Sequence, residues 1–138
     1  MGKEKIVLDT NILISALGWE GPPKAVFRKI LNKEFELIIS QKQMGELERV
    51  LNYPKFKFTE EQKDTFLEVI AECGIVVETH NGLDIIKEDP DDNIILESAI
   101  ENNAKFIISG DEHLLKLKNF KYTKIVTPRE FLALIWFQ

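Results

Sequence analysis

Short apolar runs closed by polar or turn-forming residues recur along the chain, and longer stretches with helical spacing separate them. The first run, at 5–9, carries Ile6, Val7 and Leu8 and stops at Asp9-Thr10-Asn11. Runs at 36–39, 75–79, 106–109 and 124–127 predict four more strands. Between them, residues 22–33 open on Pro22-Pro23 and place Val26, Phe27, Ile30 and Leu31 on one helical face. Residues 41–52 do the same with Met44, Leu47, Val50 and Leu51. Residues 60–72 follow Thr59, an N-cap with Gln62 three places on, and align Phe66, Leu67, Val69 and Ile70. Residues 91–104 follow Pro90 and align Ile94, Ile95, Ala99 and Ile100, and a last helix starts near Thr127-Pro128 and runs through Phe131, Leu134 and Ile135. A further helix is implied after Asp9, ending before Trp19.

Strands alternating with helices predict an open α/β fold: a three-layer α/β/α sandwich with a central, mainly parallel sheet. Residues 1–138 read as a single domain, without linker, repeat or low-complexity tract. The segment "NYPKFKFTEEQ" is the most loop-like internal stretch.

Composition narrows the class. With 44% hydrophobic and 30% charged residues, the chain describes a soluble globular protein, and no apolar run reaches the roughly 18 residues needed to span a bilayer. The start "MGKEKIVLD" lacks the long apolar core of a secretion signal, and Ile6 stands where a myristoylation motif needs Ser or Thr. The lone Cys73, inside "FLEVIAECGIVV", reads as a small buried hydrophobe and fits a reducing, cytoplasmic setting. The net charge of -5 argues against a broad basic surface for nucleic acid and leaves room for a local one.

The acids carry the chemistry. In an open parallel sheet ligands bind beyond the carboxyl ends of the strands. "KIVLD" ends there in Asp9, and "AKFIISGD" ends in Asp111 after a Ser109-Gly110 turn. "EDPDDN" puts Asp91 or Asp92 in the first turn of the helix that follows, and Glu46 lies mid-helix among Met44, Leu47 and Val50. Each has a plain structural alternative: Asp9 and Asp111 as N-caps, the "DPDDN" acids as complements to a helix dipole, Glu46 as a solvated residue. If the four meet, two charges about 4 Å apart repel by roughly 4 kcal/mol at an effective dielectric near 20. No Lys or Arg adjoins Asp9 or Asp92 in sequence to offset this, so a divalent cation is the natural remedy. All-oxygen ligands favour Mg²⁺ or Mn²⁺, and the isolation of His80 and His113, with no Cys cluster, argues against zinc. Such a centre performs metal-assisted hydrolysis at phosphorus.

With these residues in hand, the chain resembles the PIN-domain family of metal-dependent ribonucleases. "VLDTNILISAL" matches the family's opening strand, "IISQKQMGELERVL" its glutamate helix, "DPDDNIILESA" its third acid and "FIISGDEHLL" its fourth. The resemblance implies that Asp9, Glu46, Asp92 and Asp111 form an acidic quartet around Mg²⁺ or Mn²⁺, with Asn11 and Ser109 as orienting neighbours. The choice of Asp92 over Asp89 or Asp91 follows the family's spacing. It implies a metal-dependent endoribonuclease acting on single-stranded RNA, as the toxin of a toxin–antitoxin pair, with a small antitoxin as partner. The alternative is a PIN-fold protein-binding module with weak or no catalysis. Many relatives carry an acid two places after the fourth, where this chain has His113.

Haloacid-dehalogenase phosphatases need a second Asp where Asn11 stands, and receiver domains need paired acids and a lysine that are not in place. Lys116, Lys118, Lys121 and Lys124 form either a track for an RNA backbone or a solvated face. Trp19 either stacks on a base or packs its own loop. Phe56 and Phe58, alternating with Lys55 and Lys57, read as loop anchors before RNA contacts. The tail "FLALIWFQ" is apolar on nearly all sides, so it is buried in the core or pressed against a partner such as a second copy in a homodimer.

Overall fold

The computed structural model describes residues 3–80 and 82–136. Strands β1 (Lys5–Leu8), β2 (Glu36–Ser40), β3 (Gly74–Val77), β4 (Phe106–Ile108), β5 (Asn119–Phe120) and β6 (Thr123–Val126) form one sheet, ordered β3-β2-β1-β4-β6-β5. All pairs are parallel except β5 with β6. Ile6-Val7-Leu8, Leu37-Ile38-Ile39 and Phe106-Ile107-Ile108 are unbroken apolar runs because both faces of these strands are covered. Ile6, Leu8, Leu37, Ile39, Phe106 and Ile108 point into one core, and the alternate residues Val7, Ile38 and Ile107 into the other.

Helices α1 (Thr10–Gly18), α2 (Pro22–Leu31), α3 (Gln41–Leu51), α4 (Glu60–Cys73) and α7 (Pro128–Trp136) supply the first core. Helices α5 (Asp91–Glu101) and α6 (Glu112–Leu115) supply the second. Right-handed crossovers explain the division. From β1 the chain steps outward to β2 and β3, then returns past β1 to β4, so its direction reverses and α5 must lie on the opposite face. The reversal leaves a crevice between the carboxyl ends of β1 and β4.

The capping box forms as the sequence indicates: Thr59 Oγ accepts from Gln62 N at 3.1 Å, and Thr59 N donates to Gln62 Oε1 at 2.8 Å. Helix α4 passes into β3 without a loop. A Cβ at Gly74 would stand 2.8 Å from the Ile70 carbonyl oxygen, so only glycine fits that junction.

Three differences from the sequence-based boundaries have physical causes. Helices α2 and α5 stop two and three residues before the predicted 33 and 104, because Lys33 (φ 63°) and Asn103 (φ 56°) turn left-handed. Glu34 N then bonds Lys29 O and Ala104 N bonds Ala99 O, each at 2.9 Å, closing both ends without the usual glycine. Strand β5 went unforeseen; its hairpin to β6 turns through Lys121 (φ 55°) and Tyr122, with no Asn-Gly signal. The tail divides its roles. Phe131 is fully buried, edge-on to Phe35 and Phe106, whereas Leu134 is 37% and Trp136 82% exposed. Phe137 and Gln138 lie outside the described residues.

Residues 82–90 cross the second face as an extended strap rather than a helix or strand. Side chains one turn apart on α5 hold it. Asn93 Oδ1 accepts from the amides of Ile85 and Ile86 at 3.0 Å, and Asn93 Nδ2 donates to Ile86 O at 2.9 Å. Glu97 Oε1 accepts from Leu83 N at 3.0 Å. Among the described residues no helix is long and apolar enough to cross a membrane.

Candidate active site

Asp9 follows the last residue of β1, and its amide extends the ladder by bonding Ile108 O at 3.0 Å. Its carboxylate sits at the N-cap position of α1 yet makes no capping bond there. It turns instead to β4: Ser109 Oγ, fully buried, donates to Asp9 Oδ2 at 2.6 Å and accepts from Asp111 N at 2.9 Å. One hydroxyl thus fixes the Asp9 carboxylate and the turn that carries Asp111. Asp111 does cap its helix, with Oδ1 accepting from His113 N at 2.7 Å and Leu114 N at 3.3 Å. The capping alternative therefore describes Asp111, whereas the Asp9 carboxylate is held by Ser109 and only weakly stabilised by the Asn11 and Thr10 amides.

Asp92, in the first turn of α5, is 5% exposed, and its Oδ2 has no hydrogen-bond partner. One of its oxygens, one of Asp111 and a ring nitrogen of His113 lie within 4.8 Å of one another. Burial first, then the charges of Asp111, Asp89 and Asp9, push the Asp92 carboxyl up to about 8. Burial also raises Asp9; the Ser109 bond opposes that shift and the Asp111 charge adds to it.

Glu46 approaches from α3 and is half-buried. Burial, then the Asp91 charge, raise its carboxyl; a hydrogen bond with Thr10 lowers it, Asp9 raises it and Arg49 lowers it. Asp9, Asp92 and Asp111 are thus close neighbours, while Glu46 stands on the outer side, more strongly coupled to Asp91. Arg49 lies 3.8 Å from Asp91 and supplies a cation there. Asn11 is exposed; its backbone amide helps to lower Asp9. With Asp9, Ser15, Gly110, Asp111 and Glu112 it lines a groove of about 520 Å³.

One expectation is corrected: His113 is not isolated, because the Asp111 cap folds its short helix back onto the acids. His80 is remote, at the other end of α5, where its ring faces Glu101 at 3.2 Å. Lys116 and Lys118 are exposed, and the Lys116 charge is felt by Glu88, near His113. Trp19, 54% exposed at the far end of α1, packs edge-on against Phe56 and Phe58 with centroids 6.2 and 6.3 Å away. Those contacts are loop packing. Cys73 is half-buried against the first core, and burial raises its thiol, so it is not an activated nucleophile.

Sequence reasoning passed over two positioning residues. Gln43 is fully buried, and its Nε2 donates to Leu8 O at 2.6 Å, tying α3 and hence Glu46 to the end of β1. The available signal was a polar residue on the apolar stripe shared with Leu47 and Val50. Asn93 fixes Asp92 by clamping the strap, and no spacing rule announces that.

A buried, unpartnered Asp92 oxygen facing further carboxylates, with no basic side chain bonded to it, fits a divalent cation. Asp9, Asp92 and Asp111 would hold it, with Glu46 at the outer edge.

Fold and site together define a parallel α/β protein with an acidic crevice at its topological switch point. A family model described as PIN domain matches residues 5–113, and the chain belongs to the PIN-domain family. It is similar to an uncharacterized protein of Methanocaldococcus jannaschii, at 27% identity over 145 residues, covering 94% of this chain and 90% of that protein. It also resembles, with a TM-score of 0.61 and 19% identity over 88% of this chain and 96% of the other, a chain of the crystal structure of VapBC2 from Rickettsia felis bound to a DNA fragment from their promoter.

Proposed function

We propose that this chain, working as one domain, is a divalent-metal-dependent endoribonuclease that hydrolyses phosphodiester bonds of single-stranded RNA, as the toxin of a toxin–antitoxin pair. The observation that carries the reading is the buried Asp92 carboxyl, its Oδ2 without a hydrogen-bond partner, crowded by the charges of Asp111 and Asp9. Asp9, Asp92, Asp111 and Glu46 hold Mg²⁺ or Mn²⁺, which when bound supplies Lewis-acid polarisation of the phosphate and a lowered pKa for water. Ser109 keeps Asp9 oriented. Asn11, exposed beside Asp9 at the groove, helps to orient that carboxylate. The water oxygen bonds to phosphorus as the bridging P–O bond breaks; a carboxylate oxygen of Glu46, raised by burial, takes the water's proton, and the departing oxygen leaves as a free hydroxyl after taking a proton from solvent.

Asp9→Asn and Asp92→Asn should each abolish metal-dependent cleavage of an unstructured RNA while circular dichroism stays native. Full cleavage in excess chelator, or in both variants, contradicts the mechanism.

A second reading, a module acting through protein contacts, draws on an apolar groove of about 480 Å³ between α1, α2 and α4, lined by Leu17, Phe27, Leu31, Phe66 and Val69. An antitoxin segment would occupy it, and the exposed Leu134 and Trp136 would serve a homodimer contact. Growth arrest on expression that survives Asp92→Asn would favour this reading over catalysis.

A further inference from the structure

We propose that His113 contributes a nitrogen ligand to the cation held by Asp92 and Asp111, making a mixed oxygen–nitrogen centre that prefers Mn²⁺ to Mg²⁺. The inference rests on the nuclease reading only for the presence of a cation in this crevice. Its own support is geometric. The three donor atoms lie within 4.8 Å of one another. Donors around a small divalent ion stand about 3 to 4.2 Å apart, so the set closes with side-chain adjustments of up to about an ångström.

The ring is held in place but not engaged. The His113 amide donates to Asp111 Oδ1 at 2.7 Å, and its neighbour Leu114 is fully buried, anchoring the short helix. Yet His113 Nδ1 stands 3.7 Å from Asp111 Oδ1, beyond hydrogen-bond range. On the outer side Nε2 lies 4.0 Å from Glu112 Oε1. The Asp92 Oδ2 atom is buried with no hydrogen-bond donor from the protein, which leaves it free to ligate a cation.

Donor chemistry then sets the preference. Mg²⁺ is bound by oxygen ligands and keeps its waters, whereas an imidazole nitrogen suits later divalent ions, and Mn²⁺ accepts both. A neutral nitrogen in place of a carboxylate oxygen also removes negative charge on which Mg²⁺ binding depends.

The test uses the full chain stripped of metal. Mn²⁺ and Mg²⁺ are titrated into the wild type, His113→Ala, His113→Gln and His113→Asp, with thermal unfolding to verify that each is folded. Electron spin-echo spectroscopy of the Mn²⁺ forms reads directly bound nitrogen. We expect ¹⁴N coupling in the wild type and none in the variants. Mn²⁺ affinity should fall about ten-fold in His113→Ala and His113→Gln, with Mg²⁺ affinity changing less than about three-fold. His113→Asp should narrow the gap between the two ions. Mn²⁺ binding without ¹⁴N coupling, equal losses for both ions, or no Mn²⁺ binding by the wild type would overturn the proposal. Nitrogen coupling in a protein that cleaves no RNA would remove the nuclease reading and leave this one standing.

Discussion

The two ends of the acidic crevice are built differently. At the inner end Asp9, Asp92 and Asp111 crowd together with one hydroxyl, Ser109, and one imidazole, His113, as their polar company. At the outer end Glu46 and Asp91 share Arg49, 3.8 Å from Asp91, and both members of that ion pair are exposed. Asp91 is exposed beside Arg49, and Glu46, although burial and the Asp91 charge raise it, is half-exposed and is lowered by Thr10 and Arg49. Asp9 and Asp92 are buried and pair with no basic side chain among the described residues, which is why their carboxyls are pushed up by burial and by each other's charge. The contrast separates an exposed, ion-paired acid from buried carboxyls that repel one another, and under the proposed function it is the second group that a cation would neutralise.

The largest effect should come from substituting across that divide. Asp92→Asn is expected to lower RNA cleavage by more than about a thousand-fold, because it removes an inner ligand, and Glu46→Gln by about ten- to a hundred-fold. Equal losses in single-turnover assays would erase the distinction. Ser109→Ala comes next. It leaves Asp9 Oδ2 without its 2.6 Å bond and Asp111 N without its acceptor. It should cost about 1–3 kcal/mol by denaturant titration and weaken metal binding by about ten-fold.

The pH dependence of the metal-free protein sharpens the comparison further. With Asp92 at about 8 in the folded chain against an ordinary 3.8, the folded state binds more protons than the unfolded state between those values. The metal-free protein should therefore melt higher at pH 6 than at pH 8.5, and saturating Mn²⁺ should flatten or invert that trend. The smallest change belongs to the outer end: Arg49→Ala should shift stability by no more than about 0.5 kcal/mol, since the pair is exposed.

How much of this the sequence carried follows from where side chains point. Ile6-Val7-Leu8, Leu37-Ile38-Ile39 and Phe106-Ile107-Ile108 announce their strands because both faces of each are buried. Asp9 and Asp111 were legible as acids ending such runs. Helix ends closed by Lys33 and Asn103 were not, because left-handed residues other than glycine leave no mark. Nor was the placement of His113 beside Asp92 and Asp111, which depends on a cap that turns a four-residue helix back toward α5. The strap over α5 was equally silent, since its order comes from Asn93 and Glu97 and from no periodicity of its own.

The direct test is thermal unfolding of the wild type and Asp92→Asn at pH 8, in chelator and in saturating Mn²⁺. Metal-free Asp92→Asn should melt above the metal-free wild type, because the amide relieves the buried repulsion, and Mn²⁺ should raise the wild type by several degrees and leave the variant nearly unchanged. A metal-free wild type at least as stable as the variant, with Mn²⁺ moving both equally or neither, would contradict the claim that these carboxylates are assembled around a cation.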